Sequence, residues 1–80
     1  MYYVYMIQSV NDQNQKYVGY TLDFHKRLVE HNSGSSLHTK QYKPWKKVIV
    51  IEFEDQLKAM KFEKYLKSGS GRAFAQKRFW

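Results

Sequence analysis

From Tyr2 to Ile7 the chain is β-branched and aromatic, and alternation puts Tyr3, Tyr5 and Ile7 on one face of the strand this predicts. Ser9 to Gln15 is a polar connection, longer than a tight two-residue turn, and Lys16 to Tyr20 reads as a second strand. Two strands this close in sequence pair most simply as an antiparallel hairpin. Gly19 inside the second marks a bulge, or a place where another backbone or a ligand comes close. The period then changes. Thr21 or Asp23 caps a helix to about Asn32, with Phe24 and Leu28 as its apolar pair and Gly34 just past its end. Ser33 to Pro44 is small and polar, then basic and aromatic, which predicts a loop with room for a short helical turn. The apolar run Val48 to Phe53 predicts a third strand in a central, two-sided position. Asp55 caps a helix to about Ser68 that buries Ala59, Phe62 and Leu66. Gly69-Ser70-Gly71 breaks it, and Arg72 to Trp80 is expected as a short last helix docked through Ala73, Phe74 and Phe79. There is no repeat and no linker, so residues 1–80 read as one domain.

Eighty residues bury a marginal core, and an aromatic content of 18% helps to fill it. With no cysteine, neither disulfides nor thiolate zinc sites hold the fold. The first residues read as a strand rather than a signal peptide, and no apolar run reaches membrane-spanning length. The expected location is the cytoplasm, and no membrane partner is expected. Fourteen Lys and Arg against seven Asp and Glu give +7, which favours a polyanionic partner.

Several residues carry possible chemistry. Glu63 sits at the rim of a buried helix face. One carboxylate with phosphate oxygens and waters is a common way to hold Mg²⁺, although Glu63 could equally pair with Lys67 at i+4. Arg27 offers a planar fork for a phosphate. His31, one helical turn on, titrates near neutrality and is the easiest proton acceptor on chemistry alone; as a plain helix-end residue it would interact with the dipole. Tyr5 and Tyr17 can orient water or phosphate, but they are bases only if their pKa falls; most strand tyrosines simply pack. The absence of a His-Glu-x-x-His pattern argues against zinc, and His25 and His38 read as surface residues. Lys58, Lys61, Lys64, Lys67 and Arg72 could track backbone phosphates or form a solvated helix face. Tyr42 and Trp45 could stack on unpaired bases, although packing at the start of the third strand is the simpler role for Trp45.

Taken in order, Tyr3-Val4-Tyr5, Tyr17-Val18-Gly19, Arg27, His31 and the later Glu63 resemble the signature of the GIY-YIG nuclease family. The resemblance spans nearly the whole chain. It points to small stand-alone bacterial members that resemble the N-terminal nuclease domain of the bacterial excinuclease, and Lys67-Ser68-Gly69-Ser70-Gly71-Arg72 shares in it. Tyr3 stands where the family name has Gly, and Val replaces Ile in both motifs; Ala75 and Gln76 occupy the region where some members carry an Asn. The resemblance implies an α+β fold, a small three-stranded antiparallel sheet flanked by helices in the order β-β-α-β-α-α. It also implies hydrolysis of DNA phosphodiester bonds with Mg²⁺ or Mn²⁺ held by Glu63, possible in repair or recombination on single-stranded, nicked or branched DNA. Arg27 would clamp the phosphate, and Tyr5, Tyr17 or His31 would orient and deprotonate water. The alternative is a non-catalytic nucleic-acid-binding module on the same fold.

Overall fold

The computed structural model describes residues 1–80. Three strands, β1 (Tyr2–Ser9), β2 (Lys16–Thr21) and β3 (Trp45–Phe53), form one antiparallel sheet in the order β2-β1-β3. Three helices complete it: α1 (Phe24–Ser33), α2 (Gln56–Leu66) and α3 (Gly69–Arg78), with a 3₁₀ turn at Lys40–Tyr42. The α+β class, the hairpin and the element order are those expected.

The central strand differs from the expectation. β1 lies between its neighbours, and Val4, Tyr5, Met6 and Ile7 are all buried, whereas Val48 to Ile51 of β3 are only half-buried. An apolar run signals coverage of both faces, but it says nothing about which strand has a neighbour on each side. In β1 the alternation divides the core. Val4 and Met6 pack with Ala59, Leu66 and Ala75 of α2 and α3. Tyr5 and Ile7 point the other way, to Trp45, Phe24 and Leu28. Burying a side chain such as Met6 or Ile7 contributes about 1.5–3 kcal/mol, so a strand that buries four in succession anchors the sheet. The β1–β3 register slips between Met6 and Ile7, leaving Val48 as an extra residue on the edge strand.

The helix ends follow local chemistry. The Asp23 carboxylate accepts from the Lys26 N–H at the start of α1, and Gly34 closes the helix at φ 86°. The Asp55 carboxylate caps α2 through the N–H groups of Leu57 and Lys58. The helix break falls at Lys67-Ser68 rather than at Gly69-Ser70-Gly71, the run expected to break the helix, which instead forms the first turn of α3, because the Ser68 hydroxyl accepts from the Gly71 N–H. A Cβ on Gly71 would lie 1.7 Å from the Tyr65 carbonyl oxygen, so glycine is needed here for the close approach of α3 to the end of α2. The docking residues of α3 also differ: Ala75 is buried and Phe74 and Phe79 are half-buried, while Ala73 faces solvent. No helix is long and apolar enough to cross a membrane.

Candidate active site

Tyr5 stands opposite Gly19 in the β1–β2 register. An added Cβ on Gly19 would lie 2.3 Å from the Tyr5 hydroxyl and 2.4 Å from the ring carbon that bears it. Of the two reasons for a strand glycine, close approach is the one realised: the β1–β2 pairing runs without a bulge, and the Tyr5 ring fills the space a side chain would take.

The Tyr5 hydroxyl reaches His31 Nε2 at 2.8 Å, and His31 Nδ1 lies 2.6 Å from Thr39 Oγ1. All three side chains are buried. The Thr39 carbonyl accepts from the Trp45 indole N–H at 2.8 Å, and Asn32, the residue after His31, binds the Trp45 backbone at both its N–H and its carbonyl. The loop after α1 is thereby tied back onto the helix that carries the site. Trp45 is thus a buried brace rather than a stacking platform, while Tyr42 is half-buried against the same cluster.

Burial controls the protonation of this network. It pushes the Tyr5 phenol up to about 12, against the hydrogen bond and charge of Arg27, while the Tyr17 phenol and the Glu63 carboxylate add to the rise. Burial also lowers His31 to about 4, assisted by the Arg27 charge and opposed by Glu30. His31 is therefore neutral at physiological pH, and it is enclosed rather than a helix-end cation or an accessible base. His31 thus has a hydroxyl on each ring nitrogen, that of Tyr5 at Nε2 and that of Thr39 at Nδ1.

The remaining groups face outward. Arg27 pairs with Glu30 at 3.0 Å, and its side chain keeps 31% exposure. Tyr17 is half-buried, its ring edge-on to His31 at 5.1 Å between centroids and 6.2 Å from Tyr5. Glu63 arrives on α2, from the opposite face of the sheet. β2 is an edge strand, so the two faces meet beside it. There Lys67 pairs with Glu63 at 2.6 Å and also lines the cavity that Tyr17 borders. Glu63 is near enough for its charge to register at Tyr5. The structure thus gathers Tyr5, Tyr17, Arg27 and His31 tightly and sets Glu63 at their margin.

No group of three or more His, Cys, Asp or Glu is placed to hold a metal ion. Glu63 alone, beside Lys61 and Lys64 in an open depression, offers one hard oxygen donor. That fits Mg²⁺ or Mn²⁺ bound through a single carboxylate with water and phosphate oxygens, and does not fit a protein-enclosed site. Lys58, Lys61, Lys64 and Arg72 are exposed, as are His25 and His38. Sequence reasoning missed Thr39, because nothing in a Ser-rich loop distinguishes one hydroxyl from the next.

Residues 1–78 match the family described as the GIY-YIG catalytic domain. The UPF0213 protein YsiG of Lactococcus lactis is 36% identical over 67 residues, covering 82% of this chain and 62% of that protein. The UPF0213 protein YazA of Bacillus subtilis is 38% identical over 55 residues, covering 68% of this chain and 56% of that protein. The structure-specific endonuclease subunit SLX1 of Malassezia globosa is 34% identical over 67 residues, covering 79% of this chain but only 15% of that protein. The chain therefore spans less than two thirds of each of these relatives.

Proposed function

We propose a hydrolytic function from one premise: this chain belongs to the GIY-YIG family. The function that fits best is metal-dependent endonucleolytic hydrolysis of DNA phosphodiester bonds. The observation that supports it most is the convergence of Arg27, Tyr17 and the Tyr5–His31 pair at one edge of the sheet, with Glu63 beside them. The name of the SLX1 relatives, structure-specific endonuclease subunits, makes branched or nicked DNA a reasonable substrate and repair or recombination a reasonable setting.

Each side chain takes a role set by its exposure. Arg27, braced by Glu30, presents its remaining N–H groups to the scissile phosphate. Tyr17 is half-buried and lines the cavity beside β2, unlike the enclosed Tyr5, so it is the tyrosine assigned to orient the attacking water. Tyr5 and His31 are enclosed and uncharged; they position Arg27 and the floor beneath Tyr17. Glu63, which here pairs with Lys67, would hold the cation, and Lys67 would then be available to substrate phosphate. When bound, Mg²⁺ or Mn²⁺ supplies positive charge to the leaving and non-bridging oxygens. Lys58, Lys61 and Lys64 carry the flanking backbone.

The test is cleavage of labelled single-stranded, nicked and branched DNA with Mg²⁺ or Mn²⁺, comparing wild type with Glu63→Ala and Arg27→Ala. Loss of at least 100-fold in rate by either variant is expected for removal of a transition-state charge. If folded wild type binds DNA and cuts none of these forms, the non-catalytic binding module takes the place of the nuclease.

A further inference from the structure

Beside Tyr17, between β2 and the α2–α3 corner, lies a cavity of about 470 Å³. Its rim carries Lys16, Lys67 and Arg72, and no acidic residue lines it. Trp80 forms an apolar wall, with the Lys16 ammonium 5.4 Å from its ring centroid, and Gln76 contributes an amide. Cations for a phosphate, an indole for a base and an amide for a base edge are the groups that recognise a nucleotide. The volume lies within the range of small-molecule sites. A base inside a duplex is stacked and paired, so only an unpaired nucleotide could place its ring against Trp80.

We infer that this cavity is a subsite for one unpaired nucleotide of a DNA strand next to the scissile phosphate, with Trp80 as the stacking platform, Gln76 as the base-edge contact and Lys16 and Arg72 as phosphate contacts. The placement next to a scissile phosphate rests on the proposed nuclease reading, but the binding chemistry stands without turnover. Tyr17 borders both the cavity and the Tyr5–His31 floor, so a strand seated here runs directly onto the proposed site. Preference for single-stranded or branched DNA would then arise from the catalytic domain itself.

The experiment is fluorescence anisotropy with a labelled 12-nucleotide single strand and the corresponding duplex, in EDTA so that no cutting occurs. Wild type, Trp80→Leu and Gln76→Ala are compared. Trp80→Leu is expected to weaken single-strand binding about tenfold, the scale of one lost base–aromatic stack, and to change duplex binding less than twofold. Gln76→Ala, on an exposed position, should weaken only the single-strand complex, by a smaller factor. Single-strand binding should also quench wild-type tryptophan emission, because Trp45 is enclosed and Trp80 is not. If both variants bind the single strand within twofold of wild type, or lose single strand and duplex equally, the subsite is wrong. Should Trp80→Leu unfold, Gln76→Ala and the wild-type quenching decide. Parallel cleavage with Mg²⁺ separates the two readings. Selective loss of single-strand binding in a protein that never cuts keeps the subsite and removes the nuclease. Cutting with no dependence on Trp80 or Gln76 does the reverse.

Discussion

The Tyr5 hydroxyl and His31 Nε2 lie 2.8 Å apart on side chains that are both fully enclosed, one from the central strand and one from the last turn of α1. This contact holds the first helix against the sheet beside Arg27 and Tyr17, at the proposed site. Its geometry depends on three further residues: Gly19 leaves room for the ring, Thr39 fixes the imidazole, and Trp45 fixes Thr39.

Replacing Thr39 separates positioning from packing. Thr39→Val keeps the shape and removes the hydroxyl partner of His31 Nδ1, leaving a buried ring nitrogen without a hydrogen bond at a cost of about 1–3 kcal/mol. We expect kcat for DNA cleavage to fall by up to about 100-fold, the scale on which a small misplacement of site groups costs rate. Thr39→Ser should restore both stability and rate. A stability loss with unchanged kcat in the folded protein would reduce Thr39 to a packing residue.

The buried neutral His31 makes stability depend on pH. Its folded pKa of about 4 lies below the ordinary 6.5, so the unfolded chain binds the extra proton between those values. Stability is therefore complete above about pH 6.5 and declines as pH falls toward 4. The full window corresponds to about 3 kcal/mol. Urea unfolding at pH 7.5, 6 and 5 should show this decline, and His31→Gln should flatten it above pH 5, where carboxylates still contribute little. An equal slope in both proteins would locate the effect elsewhere.

Gly19→Ala inserts a methyl group into the Tyr5 ring. Overpacking of this kind costs about 1–3 kcal/mol, and relief requires the ring to leave His31. The expected outcome is a lower urea midpoint with an unchanged m-value, together with a His31 pKa that rises toward its ordinary value by NMR titration. An unshifted His31 would mean that the sheet, rather than the ring, absorbs the strain.

The exposed lysines of α2 should act through phosphate alone. Lys61→Gln and Lys64→Gln should each reduce the slope of log K against log salt by about 1 on duplex DNA, without changing preference among sequences. Their folding stability should hold within about 0.5 kcal/mol, because both side chains face solvent. Unchanged slopes would remove α2 from the DNA path.

Much of this protein is local and therefore present in its sequence. Alternation sets β1 and β2, Asp23 and Asp55 start the helices, and Gly34 ends one, because strand periodicity and capping involve neighbours along the chain. The ordered appearance of Tyr5, Tyr17, Arg27, His31 and Glu63 was enough to indicate the family. Tertiary structure decided what depends on distant partners. It made β1 rather than β3 the central strand, because strand order depends on which edges pair and not on hydropathy. It turned Gly69-Ser70-Gly71 into a helix start, because Ser68 caps it and the Tyr65 carbonyl leaves no room for a side chain. It enclosed His31 and so converted a titratable helix-end residue into a neutral, doubly bonded one, because desolvation is a property of the packed environment and not of the residue. It also brought Tyr17 and Gln76 to one cavity, a meeting that depends on how α3 docks beside β2.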